Sequence, residues 1–505
     1  MRRNYFILNR ISSVDDDRFA ILLVFFIGCI VRLLPELFAY PNPIGYDVVN
    51  YYIPITTNYA NHWPQISSEF PLYVSILHSV HVITGINAYL VVVGLAIAIF
   101  GFFTVSIFLI ARKMLKTDIK FALFITVFVI FQMAVLRTTW DLHRDVLAIS
   151  MMLCVFVLIN KGSERRRIRE LDWKSVFLAM VMCALIVTTA RIIGSLFVIS
   201  LIIYSTINRT KFAILCAIIA FSFFATELYV SYYNSDARIL GSLASNNSQV
   251  DHSSYNPKNL MYLFIVVDGL LIPTGVLGFN KMPNSTLLKI PLLTSGTASF
   301  SWLFLPSEES LVADRWIILL GILLSIFAAY GLYDLGLKLK IRAINQIPNL
   351  PNRVARRLPV TLVAVVLGVF IMMGISYEIV SNGQSPYTLW YGLAQTYVGH
   401  FVPSSMQFNS VQASDTNKLT SVVAWINKNT PQKSVILGEK HWRGFMEMYL
   451  QDHRTFYFSE NLTLLKYKLV RQQPNVPLYF IHYTGEIGKS ANIYTNNLFS
   501  VDRIN

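Results

Sequence analysis

Long apolar runs separated by short polar loops repeat along the chain from residue 19 to about 376. Most runs are long enough to cross ~30 Å of hydrocarbon as helix, which takes about 20 residues. The pattern predicts eleven spans, at about 19–40, 88–111, 119–136, 146–160, 175–190, 193–207, 212–230, 260–279, 288–305, 316–335 and 359–376. The loop after the first span, 41–87, is polar and aromatic. Within it, Phe70 to Ile86 repeats apolar positions at helical spacing, with His78 and His81 among them, and predicts a helix lying on the membrane. Asp268, Pro273 and Gly275 interrupt the span at 260–279, and Ser and Thr residues interrupt 288–305. Broken helices of this kind are tolerated in lipid only where protein or a water-filled cavity receives the freed backbone groups. Beyond residue 376 the pattern changes. An amphipathic stretch, Asp415–Lys428, alternates with short β-rich runs at Ser434–Leu437, Thr455–Phe458 and Leu478–Ile481, which predicts a small α/β domain.

The expected fold is therefore an all-α polytopic membrane protein of about eleven transmembrane helices, residues 1–376, followed by a small extracytoplasmic α/β domain, residues 377–505. Composition agrees: 54% of the 505 residues are hydrophobic and only 14% charged, too apolar for an ordinary soluble chain. The first run is not a cleavable signal, because Asp15, Asp16 and Asp17 precede it and Arg32 and Glu36 sit near its end. The net charge of +14 raises nucleic acid as a partner, but its placement excludes that class. Lys and Arg gather in alternate short loops, at 112–120, 161–169 and 338–357, with no aromatic interleaving. That is the positive-inside pattern; it places the basic loops and the N-terminus in the cytoplasm and leaves the tail outside, with a prokaryotic plasma membrane the expected location. The four cysteines, Cys29, Cys154, Cys183 and Cys216, all lie in apolar runs and read as small buried hydrophobes.

The loops assigned to the outer side hold the candidate chemistry. Pro41 and Pro43 end the first helix, Gly45 permits an unusual turn, and Asp47 follows among Tyr46, Asn50, Tyr51 and Tyr52. Arg137 to Asp145 form a second outer loop with Asp141, His143 and Arg144; Arg191 lies between the fifth and sixth spans. Glu308, Glu309, Asp314 and Arg315 precede the tenth. Ionisable groups at span ends face a protein interior or a wet cavity. Acids from three loops with arginines suit transfer of a sugar from a lipid phosphate: a carboxylate takes the proton of a weak nucleophile, and an arginine or a divalent cation, Mg²⁺ or Mn²⁺, meets the charge developing on the phosphate. Simpler readings stand beside these: an N-cap for Asp141 or Asp145, ion pairing for the arginines, an aromatic belt for the tyrosines. Asp141 has the claim of exposure, Asp145 that of position. Asn246-Asn-Ser248 and Asn461-Leu-Thr463 are glycosylation sequons.

Arg32-Leu-Leu-Pro35 followed by Gly45-Tyr-Asp47 and Tyr51-Tyr52 resembles the first outer loop of the C-type (GT-C) glycosyltransferases, a superfamily that includes oligosaccharyltransferases, protein O-mannosyltransferases and lipid A aminoarabinose transferases. Trp140-Asp-Leu-His-Arg-Asp145 is similar to their second acidic position, and Glu308 or Glu309 with Asp314-Arg-Trp316 to a later loop that contacts donor or metal. The resemblance implies Asp47 as the catalytic residue and Asp141, Asp145, Glu308 and Glu309 as second-loop or metal acids. Arg144, Arg191, Arg315, Tyr46, Tyr51 and His143 are then the donor-phosphate and substrate-binding set. It further implies an inverting transferase that moves a sugar from a polyprenyl-phosphate donor in the lipid bilayer to a protein or lipid acceptor. A single acid in the first loop departs from the Asp-Glu pair of O-mannosyltransferases, and no Trp-Trp-Asp motif of oligosaccharyltransferases occurs. A transporter or flippase for a lipid-linked or small polar substrate is the alternative. Transporters place charges near mid-membrane and carry internal repeats, whereas here the charges cluster at span ends and no repeat is found.

Overall fold

The computed structural model describes residues 2–59, 71–163, 172–243, 257–303, 313–346 and 352–379, and, towards the C-terminus, 402, 405–406, 411, 413–439, 442–451, 454–458, 469–471, 475–485 and 492–504. Glu308, Glu309 and both sequons lie outside these residues. The chain divides into two compact units, Met1–Leu34 with Trp63–Tyr73 and Gly94–Pro403, and Pro35–His62 with Val74–Val93 and Ser404–Asn505.

The first unit is helical. Its elements include α1 (Arg2–Ala39), followed after the intervening α2 (Leu72–Thr84) by α3 (Ala88–Leu109), α4 (Ile119–Ile130), α5 (Met133–Thr139) and α6 (His143–Ser163). Then come α7 (Trp173–Thr189), α8 (Arg191–Asn208), α9 (Lys211–Leu243), α10 (Pro257–Asp268) and α11 (Ile272–Lys281). The last three are α12 (Thr286–Ser299), α13 (Ala313–Gln346) and α14 (Asn352–Ile379). Among the described residues seven helices are long and apolar enough to cross a membrane, or nine if two bent pairs are each one span. Predicted spans at 175–190 and 288–305 correspond to α7 and α12, which have 17 and 14 residues.

The two bends have different origins. The expected break after Asp268 is present: α10 and α11 meet at 64°, with Pro273 in the first turn of α11, where its missing N–H costs nothing. The other was not expected. The span at 119–136 bends by 67° between α4 and α5, where neither Pro nor Gly occurs. Gln132 satisfies the interrupted ladder by donating its Nε2 to the Phe128 carbonyl, and Gly374 of α14 lies against the Phe131 carbonyl, where a Cβ would stand at 2.8 Å. Close packing from a distant helix, not local sequence, holds this break open.

The most buried span belongs to α13, against which α4, α5, α10, α11, α12 and α14 all pack. Small residues permit this. A Cβ on Gly278 of α11 would stand 1.9 Å from the Phe327 carbonyl oxygen, and one on Gly331 of α13 would stand 2.0 Å from that of Thr274. The two backbones are in contact, as small residues allow in membranes, where helices associate through packing and not through a hydrophobic drive. Nearer the start of α13, Gly321 receives both bends: its absent Cβ leaves room for Asp268 Oδ1, Ala134 and Val267.

The second unit holds a five-stranded sheet in the order β2-β1-β3-β5-β4, from β1 (Val435–Gly438), β2 (Thr455–Phe458), β3 (Leu478–Tyr483), β4 (Asn492–Thr495) and β5 (Phe499–Arg503). β2, β1 and β3 run parallel, and β5 and β4 add antiparallel. The helix α15 (Ala413–Asn429) turns Leu419, Val422, Val423 and Ile426 inward at i, i+3, i+4 and i+7, onto Ile436, Ile481 and Val501 of the sheet. The alternate strand positions Val435, Leu437, Leu478 and Phe480 form a smaller core on the other face. A residue from the first loop, Val49, is fully buried in the larger core.

Candidate functional site

Asp47 opens a single π-helical turn, Val48–Tyr52. Gly45 precedes it with φ of +97°, a conformation only glycine adopts without strain, and its carbonyl accepts from the Val49 N–H. The side chain of Asp47 makes no cap to this turn and is half-buried, as are Tyr46 and Tyr51. Asn50 ties the turn down on both sides. Its Nδ2 donates to the Tyr46 carbonyl at 3.1 Å, and its Oδ1 accepts from the backbone N–H of Gly444 at 3.1 Å. Gly444 opens α16 (Arg443–Tyr449) and touches Val49 so closely that a Cβ there would stand 2.2 Å from the Val49 carbonyl oxygen. Asn42 donates to Asn417 of α15 at 2.8 Å. The loop carrying Asp47 is thus built into the fold of the second unit. Gly444→Ala should cost about 1–3 kcal/mol by overpacking against backbone that cannot rotate away. Thermal unfolding together with proteolysis between residues 41 and 59 would check this; unchanged values would show that the turn does not depend on α16.

His78 and His81 do not share a ligand. His78 stacks on Tyr59 with ring centroids 4.6 Å apart and bonds the Thr56 carbonyl, whereas His81 bonds the carbonyl of Ile86.

The second candidate loop lies in the first unit and is almost wholly enclosed. Asp141, expected to be exposed, is 3% exposed and pairs with Arg137 at 3.1 Å, one helical turn away. Arg137 also stacks over the Trp140 ring at 4.6 Å. The Arg32 side chain of α1, only 1% exposed, reaches this loop and donates its Nε to the Thr139 carbonyl at 3.0 Å. Its charge acts on two neighbours, Tyr73 and His143, which share a hydrogen bond of 3.0 Å between Oη and Nδ1. Burial pushes the Tyr73 phenol up, and the nearby guanidinium offsets only part of this, so the phenol keeps its proton. Arg32, Tyr73 and Arg137 were not singled out as site residues from sequence. Arg32 carries a signal, as a charge inside an apolar run that also holds Glu36.

Asp145 stands in the first turn of α6, where the helix dipole favours a carboxylate, but it is 8% exposed and faces inward. With Arg315 of α13 and Thr138 of α5 it lines a cavity of about 20 Å³, otherwise walled by Leu and Ile residues including Ile192 and Ile193. That space fits one water-sized group between a carboxylate and a guanidinium. Arg191 itself, at the start of α8, is exposed; Arg144 is half-buried in the first turn of α6. The Arg137 charge acts on Asp314, beside Arg315. The structure therefore gathers Asp141, His143, Asp145 and Arg315, with Arg32, Tyr73 and Arg137, around one loop of the first unit. Among the described residues no three His, Cys, Asp or Glu side chains stand close enough to hold a metal ion.

The sequence matches no protein-family model and no curated protein. Solved structures are similar across nearly the whole chain. The apo structure of ArnT from Cupriavidus metallidurans superposes with a TM-score of 0.53 at 11% identity, over 96% of this chain and 97% of that one. The same protein bound to undecaprenyl phosphate gives 0.50 over 98% of each chain. The oligosaccharyltransferase AglB from Archaeoglobus fulgidus, in complex with an inhibitory peptide and a dolichol-phosphate, gives 0.51 at 11% identity, over 92% and 70%. A further structure of that archaeal enzyme, in complex with Zn and sulfate, gives 0.52. At this identity the likeness is one of fold.

Proposed function

From a chain with the fold of the C-type membrane glycosyltransferases, we propose an enzyme that transfers a sugar from a polyprenyl-phosphate donor to a protein or lipid acceptor on the extracytoplasmic side. On this reading the chain has about eleven spans, a cytoplasmic N-terminus and an extracytoplasmic tail. The observation that carries it is the Asp145–Arg315–Thr138 cavity, a charged pocket in an otherwise apolar bundle of this fold. Buried ionisable groups in a membrane protein are expensive to keep, and they mark substrate sites. The ligands seen in the similar structures, undecaprenyl phosphate in ArnT and dolichol-phosphate in AglB, support a lipid-linked donor.

In the proposed reaction the acceptor's hydroxyl or amide forms a bond to the anomeric carbon as the bond from that carbon to the donor phosphate oxygen breaks. Asp47 accepts the proton lost by the acceptor. The released phosphate takes the electron pair, and Arg315, with Arg144, meets its growing charge through charge-assisted hydrogen bonds. Attack opposite the leaving phosphate inverts the anomeric centre. Arg32 and the Tyr73–His143 pair hold the second loop in place behind Asp145.

The test is transfer of labelled sugar from polyprenyl phosphate by the purified protein. Arg315→Gln should lower transfer about 10²–10³-fold, the range for loss of one group that stabilises developing charge. Asp145→Asn should lower it by a smaller factor and raise KM for the donor. Full activity in both variants would remove the cavity from the mechanism. Chelation by EDTA reads out metal dependence directly: activity lost and then restored by Mg²⁺ or Mn²⁺ would assign a divalent cation to the reaction.

A further inference from the structure

Far from the residues proposed for transfer, α8 and α9 enclose a second space. It is an open groove of about 470 Å³ between two antiparallel stripes, Ile202, Ser205 and Thr206 on α8 and Ile214, Ala217 and Phe221 on α9. The stripes repeat at i, i+3 and i+4 on α8 and at i, i+3 and i+7 on α9, so the groove follows α8 for about one turn and α9 for about two. At about 30 Å³ for a water-sized group it holds on the order of fifteen, the scale of one hydrocarbon chain and not of a compact solute. Both helices belong to candidate membrane spans, so this wall faces lipid.

The groove ends at the tight turn 208–211, which is polar and doubly cationic. Arg209 holds a left-handed conformation, φ +50°, and uses its own N–H to close α8 on the Ser205 carbonyl. Its guanidinium and the Lys211 ammonium are both exposed. The same turn is the N-terminus of the 33-residue α9, whose first N–H groups have no partner within the helix. Two hydroxyls are also left over. Ser205, 8% exposed and lining the groove, and Thr210 each bury a side-chain oxygen that makes no hydrogen bond among the described residues. Buried hydroxyls ordinarily find a partner. An apolar trough capped by two cations, a helix N-terminus and two unused donors fits an amphiphile with one negative charge at its head.

We propose that this groove binds one acyl chain of an anionic membrane phospholipid, whose phosphate docks on the 208–211 turn. A basic pocket between helices at the cytoplasmic interface is the arrangement that recognises anionic head groups, and each cation near such a surface strengthens partition about fivefold. The site is separate from the residues proposed for transfer and does not depend on their assignment.

Photo-crosslinking tests it, with full-length protein in nanodiscs that contain phosphatidylglycerol bearing a diazirine in its acyl chain. Crosslinks should map to 202–206 and 214–221, and native mass spectrometry should show phosphatidylglycerol retained over phosphatidylcholine. Arg209→Asn with Lys211→Gln should erase that preference, a fall of about tenfold or more, while crosslinking at the groove persists weakly. Asn tolerates the left-handed backbone, and both positions are exposed, so this variant folds. Ala217→Trp fills the groove and should abolish the 214–221 crosslinks with either lipid. Crosslinks that fall elsewhere, an undiminished preference in the double variant, or displacement of phosphatidylglycerol by an equal amount of polyprenyl phosphate would each overturn the proposal.

Discussion

Asp47→Asn should reduce sugar transfer about 10²–10⁴-fold, the contribution of a positioned general base, while leaving the protein folded. At 1.36 kcal/mol per tenfold, this is about 3–5 kcal/mol of transition-state stabilisation. Asn matches the carboxylate in size, and the turn around it is held by other groups: Gly45, Asn50, Val49 and Gly444. Loss of rate with an unchanged melting temperature is therefore the expected pair of results. Asp47→Glu should recover part of the rate. Transfer that survives Asp47→Asn intact would send the search for the base to Asp145, the buried carboxylate that lines the cavity at the start of α6.

Gly331→Val should have the largest effect on stability. Even a methyl at this position would stand 2.0 Å from the Thr274 carbonyl oxygen and 2.8 Å from the Gly278 backbone nitrogen. Both are main-chain atoms of a rigid helix, so relief requires α11 and α13 to part. Overpacking usually costs about 1–3 kcal/mol; where the obstacle is backbone the cost should exceed about 4 kcal/mol, enough to remove folded protein. Thermal denaturation in detergent with monodispersity by size exclusion checks this. Gly368→Val, on α14 with open space around it, serves as the control and should be near neutral. A Gly331→Val protein as stable as the control would mean that the crossing can yield.

Much of this architecture was legible in the residue pattern, for reasons that are local. Proline and glycine in the 41–45 stretch predicted a special turn before Asp47, and Gly45 adopts it. Asp268 with Pro273 and Gly275 predicted a break, and the chain bends there. The i, i+3, i+4 stripe of 415–428 predicted the helix that covers the sheet. What escaped was set by distant partners. No local signal marks the bend at Gln132, because Gly374 of a helix some 240 residues later helps hold it. Asp141 lies four residues from Arg137, a spacing that permits a pair on any helix; that the pair is buried depends on what covers it. Tyr73 and His143 meet across 70 positions of sequence, and Arg32 meets Thr139 across 107. Strands β4 and β5 also went unforeseen: they have only four and five residues, β4 is largely exposed and β5 is buried at four successive positions, so neither alternates.

The union of Val49, Asn50 and Gly444 bears on how the protein is made. Asn50 and Gly444 are separated by 394 positions, Asn42 and Asn417 by 375. At ribosomal speeds of about 5–20 residues per second, the turn carrying Asp47 waits tens of seconds after synthesis before its support exists. During that interval Val49 has no core to enter and the turn no anchor. A chain stopped short of residue 444 would lack the α16 contacts that hold the turn carrying Asp47.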